Sequence, residues 1–260
     1  MFFPRFLLVA IALGGAFASI VPAASNPFAG KWKFNASKSK VTGTTDSIAA
    51  AGANAWKFTY GSYSWTLKAD GTDQPTPFGN TVALKVVSPT TWQLTDKVKG
   101  KVTATETWVL ADDGQSMTRT SAGKRETGEA FTDVLKEKRT AGAKGFEGTW
   151  ETAEFKGAPP EVDIENASDT GLTIVIPAEG LKFAATFDGK ENPVEGPRVP
   201  PGMTVSAKLV SPRKVAATSK MKDKVLDTET WEVSADGKTF TYTELDAGET
   251  KPTVSVYDRI

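Results

Sequence analysis

One sequence pattern occurs twice in this chain, and this limits its architecture more than any other feature. The segment Phe28–Trp32 (FAGKW) returns at Phe146–Trp150 (FEGTW), and Thr105–Trp108 (TETW) returns unchanged at Thr228–Trp231. A unit of roughly 115–120 residues is the size of one domain and far longer than a solenoid repeat. The chain is therefore predicted to contain two tandem copies of one fold.

The register of the repeat is nearly continuous. From Phe28 to Pro75 the partner residue lies 118 positions further on, and from Thr81 it lies 123 positions further on. The difference falls at the Pro-rich segment 197–202, which is predicted to be a loop. The predicted organisation is a signal peptide over residues 1–23, copy one over 24–140 and copy two over 141–260.

The N-terminus has the pattern of a targeting segment. One Arg at position 5 precedes the apolar run Phe6–Phe17, and small residues follow it. This pattern predicts cleavage near Ala18 or Ala23 and a secreted or periplasmic protein. No later stretch approaches the roughly 20 apolar residues of a membrane span, so no span is expected in the mature chain. Export without any cysteine is more typical of a bacterial envelope protein.

Composition excludes several classes of function. The chain has no His and no Cys, which removes Ser-His-Asp and Cys-His catalysis and zinc sites with these ligands. Lys plus Arg and Asp plus Glu both total 31, and the lysines are spread along the chain. This gives no charge pattern for nucleic acid. No cofactor is predicted. The alternating carboxylates of 161–165 could hold a hard cation, but a solvated edge strand is favoured.

Both copies show the alternation of β-strands. Apolar and polar residues alternate in 56–60, 65–69, 101–108 and 181–187, and Asp-Gly pairs mark tight turns. A last strand is expected to start directly after Pro252. About eight or nine strands are expected per copy. Their short connections favour two antiparallel up-and-down barrels over sandwiches.

The repeated motifs resemble the lipocalins. Gly-x-Trp at the start of the first strand occurs at Gly30–Trp32 and Gly148–Trp150, and an Arg ends each copy at Arg139 and Arg259. The segment 30–40 is similar to the N-terminal sequence of small exported bacterial lipocalin-like proteins. The resemblance implies barrels with apolar interiors, in which Trp32 and Trp150 close the floor and each Arg packs against such a Trp.

A ligand-binding role is hypothesised for large side chains on the central strands. Copy one has more aromatic residues than copy two, and simple core filling remains the alternative for all of them. The candidates are Trp56, Phe58, Trp65, Trp92 and Trp108 in copy one, and Ile174, Ile176, Phe183 and Trp231 in copy two.

Three functions remain open at this stage. The favoured one is a non-enzymatic binding protein that holds a small apolar or amphipathic ligand in a barrel cavity. The first alternative is a structural or interaction module of the cell envelope with filled barrels. The second is a carboxylate-dependent glycoside-acting enzyme, for which no motif isolates a pair of residues. The sequence does not indicate an oligomeric state.

Overall fold

The computed structural model describes residues 26–142, 144–157 and 159–260, and the predicted signal peptide lies outside them. The described chain is all-β. Strands β1 to β10 are Gly30–Phe34, Thr45–Ala50, Ala55–Tyr60, Tyr63–Lys68, Gln74–Pro75, Thr81–Ser88, Thr91–Val98, Lys101–Leu110, Ser116–Lys124 and Ala130–Ala141. Strands β11 to β20 are Gly148–Lys156, Val162–Ser168, Gly171–Ile176, Leu181–Thr186, Asp188–Pro193, Met203–Ser211, Lys214–Met221, Lys224–Val233, Thr239–Asp246 and Thr253–Arg259. A 3-10 turn, Pro177–Glu179, precedes β14.

The strands form two antiparallel sheets of ten strands each. One runs in the order β4-β3-β2-β11-β10-β9-β8-β7-β6-β5, and the other runs β14-β13-β12-β1-β20-β19-β18-β17-β16-β15. The two edges of each sheet approach each other. Asp70, just after β4, forms a bridge with Lys85 on β6, and Lys182 on β14 forms a bridge with Glu195, just after β15. Two nearly closed antiparallel barrels result. The predicted class is confirmed, although each barrel has ten strands rather than eight or nine.

The first strand of each copy pairs with strands of the other copy. β1 lies between β12 and β20, and β11 lies between β2 and β10. We call the sheet of β2–β11 barrel one, and the sheet of β1 and β12–β20 barrel two. The repeat is therefore continuous along the sequence, while the two barrels exchange their first strands in space.

Local sequence explains the turns and the inward faces. The Asp-Gly turns place Gly71, Gly114, Gly189 and Gly237 at φ between 65° and 78°, a conformation that suits glycine. Alternate strand residues are buried, so each barrel has an inner apolar cluster. The last strand starts at Thr253, directly after Pro252, as predicted.

Two expectations from the sequence need correction. Ile48 pairs with Phe58, and Ile164 pairs with Ile174, so Phe58 corresponds to Ile174 at an offset of 116 rather than 118. The 3-10 turn before β14 adds two residues and restores the offset to 118. The carboxylate strand β12 is also not an edge strand, because β1 and β13 flank it.

The described residues contain no helix long and apolar enough to cross a membrane.

Candidate functional site

A tryptophan and an arginine close one end of each barrel. The Arg259 guanidinium lies 4.0 Å from the centre of the Trp32 ring, and Arg139 lies 4.2 Å from Trp150. Both indole N–H groups donate to a backbone carbonyl, at Phe28 and at Phe146, each at 2.9 Å. Both tryptophans are fully buried. Because of the strand exchange, each Trp–Arg pair joins residues from different copies.

A single cavity of about 390 Å³ extends through the interiors of both barrels. Part of its lining is apolar and includes Phe131, Phe155, Leu181 and Val199. Inward-facing polar residues of both barrels also line it. The lining includes ten carboxylate side chains but only two arginines. The cavity thus combines apolar and acidic side chains in one lining, a composition that suits an amphipathic guest.

Ion pairs hold the two barrels together beside the cavity. Arg198 Nε lies 3.0 Å from Glu126 Oε1, and Arg125 Nη1 lies 3.3 Å from Glu179 Oε1. The Arg125 side chain is 1% exposed. Burial raises the pKa of the nearby Asp133 carboxyl to about 6, against the attraction of Arg125. These charged groups fix the junction at which the two interiors meet.

A buried arginine organises the interior of barrel one. Arg119 is 3% exposed, lies 2.8 Å from Asp46 Oδ2 and 2.6 Å from Glu137 Oε2, and covers the Trp108 ring at 4.0 Å. Burial would lower the pKa of Arg119, but the two carboxylates outweigh burial and raise it. Burial raises the pKa of Glu137 to about 8, and Arg119 opposes that rise. The Trp108 indole donates to Glu106 at 2.8 Å. Barrel one therefore supplies its own internal cation.

Barrel two instead gathers four carboxylates, which we call the acidic quartet: Asp227, Glu229, Glu244 and Asp246. Asp227 pairs across the strands with Asp246, and Glu229 pairs with Glu244, so the four form a square on β18 and β19. All four are at least nine-tenths buried and line the cavity. Oxygens of Asp227, Glu244 and Asp246 lie within 4.8 Å of one another. Like charges placed directly opposite destabilise a sheet, so this arrangement needs a physical explanation.

Electrostatics within the quartet favour a bound proton. Burial, and then the neighbouring Glu229 and Glu244, raise the pKa of Asp227 to about 10. Burial also raises the pKa of the Tyr242 phenol well above its usual value. Glu229 has fixed partners, because it accepts hydrogen bonds from Trp231 Nε1 at 2.6 Å and from Ser219 Oγ.

Two polar atoms at this end of the cavity have no hydrogen-bond partner among the described residues. They are Asp227 Oδ1 and Ser255 Oγ. Ser255 is 1% exposed, faces inward on β20 opposite Tyr242, and lines the cavity. A buried hydroxyl that makes no hydrogen bond costs free energy, so this hydroxyl is available to a water molecule or to a polar ligand atom.

The structure divides the predicted ligand-binding residues into two groups. Ile174, Ile176, Phe183 and Trp231 line the cavity in barrel two. The residues of copy one pack against one another in the core of barrel one: Trp56, Phe58, Trp65, Trp92 and Trp108. Phe58 and Trp65 stack with ring centres 5.8 Å apart. A role in binding therefore fits the barrel-two group better, and it remains a prediction.

The sequence reasoning missed the acidic quartet. In sequence its members resemble the polar, solvent-facing residues of an alternating strand. However, Asp227 and Glu229 lie at odd-numbered positions of β18, on the same face as the buried Trp231 and Val233. Glu244 and Asp246 likewise share the parity of Phe240. Since residues two apart face the same side of a strand, this parity was the available signal.

The chain matches no protein-family model, no curated protein and no solved structure. The fold and the site therefore define it only as a protein of two antiparallel barrels that share one acidic cavity.

Proposed function

We propose that this chain is an exported binding protein of lipocalin-like type that holds one small amphipathic ligand in the cavity shared by its two barrels. The observation that carries the proposal is the cavity of about 390 Å³, which extends through both interiors. This volume is in the range of small-molecule sites in proteins, roughly 300–1,000 Å³. Filled barrels, as the structural-module alternative requires, would leave no such space.

The distribution of side chains supports an amphipathic guest rather than a purely apolar one. Phe131, Phe155 and Val199 offer apolar contact in the cavity, while carboxylates of both barrels also line it. Apolar burial would supply most of the affinity, and the polar side chains would orient the ligand.

A carboxylate-dependent hydrolase is supported less well. Two catalytic carboxylates of a glycosidase stand about 5–10 Å apart, on either side of the bond they break. Oxygens of three quartet members lie within 4.8 Å of one another and on adjacent strands. This spacing suits holding one group better than flanking a bond.

The test is a fluorescence titration with N-phenyl-1-naphthylamine, a neutral apolar dye. We expect saturable binding of one dye per chain, counted by native mass spectrometry. Val199→Trp places a large ring at a position that lines the cavity and should weaken binding by about tenfold or more.

The matched control is Val210→Trp, at a position that is 60% exposed and outside the cavity lining. It should leave the affinity unchanged. Dye binding that is absent, non-saturable or equally strong in both variants contradicts the proposal.

A further inference from the structure

We propose that the acidic quartet of barrel two binds the ammonium or guanidinium group of an amphipathic organic cation. This inference rests on the proposed function, because it names the chemical class of the ligand that the shared cavity holds. Three independent features of the described residues support it: a comparison between the barrels, the unpartnered hydroxyl, and the surroundings of the quartet.

The comparison between the barrels shows what the quartet lacks. In barrel one, Arg119 pairs across the strands with Trp108, and its guanidinium lies among carboxylates. In barrel two the corresponding pair is Trp231 and Tyr242. The same fold thus carries an internal cation in one barrel and a phenol in the other, although the barrel with the phenol has the denser carboxylate cluster. A cationic ligand group would supply the charge that Arg119 supplies in barrel one.

The hydroxyl of Ser255 is an observation separate from the acidic cluster. Its Oγ lines the same cavity, is 1% exposed and makes no hydrogen bond to a described residue. Ser255 lies on β20, next to the strand that carries Glu244 and Asp246. A ligand N–H group in the quartet can donate to carboxylate oxygens and to this hydroxyl together.

The surroundings favour an organic cation over a bare metal ion. The cavity is far larger than one ion, and aromatic residues line the quartet's end, among them Trp231, Phe240 and Phe183. Aromatic faces attract organic cations, and the apolar side chains that line the cavity would bury the remainder of such a ligand. Divalent ions bind oxygen ligands as well, so a metal ion is the outcome that the test must separate.

The test compares octylamine with 1-octanol, two ligands of equal chain length that differ in charge at pH 7. Each displaces N-phenyl-1-naphthylamine from the full-length mature protein. We expect octylamine to bind at least about tenfold more tightly than 1-octanol, since charge-assisted hydrogen bonds are the stronger ones.

Two variants install residues of barrel one at the quartet. Asp227→Ala with Glu244→Ser introduces the residue types found at Ala104 and Ser121. This double variant should lose the preference for octylamine and keep its affinity for the dye. Tyr242→Arg places a guanidinium beside the quartet, so it should also abolish the preference. Tyr242→Arg adds a compensating positive charge and leaves all four carboxylates in place. It therefore keeps the test valid if the double variant fails to fold.

The matched control is Asp96→Asn, which removes a buried cavity carboxylate from barrel one. It should retain the full preference for octylamine. Equal binding of octylamine and 1-octanol by a protein that still binds the dye overturns this inference and leaves the proposed function standing. Calcium or magnesium that binds through the quartet and is not displaced by octylamine also overturns it. A protein that binds neither the dye nor the two alkyl ligands overturns the proposed function itself.

Discussion

Barrel one surrounds the Arg119 guanidinium with carboxylates, whereas barrel two has Tyr242 at the corresponding position and a square of four carboxylates beside it. The partners of Arg119 differ as well. Asp46 and Glu137 of barrel one correspond to Val162 and Tyr257 of barrel two, as the pairing with β11 and β1 shows.

The quartet shows the reverse difference. Asp227, Glu244 and Asp246 correspond to Ala104, Ser121 and Gly123 of barrel one, and only Glu229 has an acidic counterpart, Glu106. The Trp–Glu hydrogen bond is thus common to both barrels, while the remaining charge has diverged. Two copies of one fold have become an interior that contains the buried guanidinium of Arg119 and an interior that contains the acidic quartet, and this division of roles underlies the proposed ligand class.

The largest expected effect comes from removing the internal cation of barrel one. Arg119→Met leaves the buried Glu137 and the partly buried Asp46 without their partner and should lower the free energy of unfolding by about 3–5 kcal/mol. Urea denaturation followed by far-UV circular dichroism measures this loss. Arg213→Ala, at an exposed arginine of copy two, serves as control and should change stability by less than about 0.5 kcal/mol. A loss for Arg119→Met no larger than for the control would mean that barrel one does not depend on its internal ion pair.

The second prediction concerns the exchanged first strands. Trp32 is fully buried beneath Arg259, so Trp32→Ala should cost about 3–5 kcal/mol. The location of the damage is the informative result. Hydrogen exchange measured by mass spectrometry should show lost protection in β12 and β20, which flank β1, and little change in β2 and β10.

Trp150→Ala is the matched variant and should give the mirror image, with lost protection in β2 and β10. If Trp32→Ala instead exposes β2 and β10, each first strand belongs to its own copy, and the exchange is wrong.

The sequence predicted the repeat, the barrels and the turns because those features depend on local patterns. Alternation, the Asp-Gly pairs and Pro252 each act within a few residues, and the structure confirms the strands and turns they indicate. The strand exchange is different. Gly30–Trp32 and Gly148–Trp150 carry the same motif, so the local sequence of each first strand is compatible with either barrel. Only long-range packing decides between them.

The acidic quartet was missed for a related reason. Carboxylates on alternate strand positions usually face water, because a buried charge is costly. Here the parity shared with Trp231 places Asp227 and Glu229 inside, and the tertiary fold overrides the usual preference. Sequence patterns show which residues share a strand face, but not that a cavity lies beneath that face.

The smallest expected effect is a change in the free energy of unfolding at pH 8, and it has opposite signs for equivalent substitutions in the two barrels. Asp227 keeps its proton in the folded chain up to a pH near 10, whereas the unfolded chain ionises near the ordinary value of 3.8. Between these values the folded chain holds one more proton, so stability is greatest at low pH and falls as pH rises. Asp227→Asn should remove this dependence of stability on pH and raise the free energy of unfolding at pH 8 by about 1–3 kcal/mol. At pH 4 the variant and the wild type should be equally stable. Glu229 and Glu244 raise the pKa of Asp227, and a hydrogen bond with Ser219 lowers it. Asp246 faces Asp227 across the strands, and the Tyr242 phenol lies close enough to interact with its charge.

Asp46→Asn makes the same chemical change in barrel one and should have the opposite effect. Asp46 lies 2.8 Å from Arg119, so its loss leaves the buried guanidinium with one carboxylate fewer and lowers stability at pH 8 by about 1–3 kcal/mol. Urea titrations of both variants at pH 4 and pH 8 compare the two barrels directly. Two variants that both lose stability at pH 8 would show that the quartet is already compensated within the chain. In that case barrel two would have no need of a cationic ligand, and the proposed difference between the two interiors would fail.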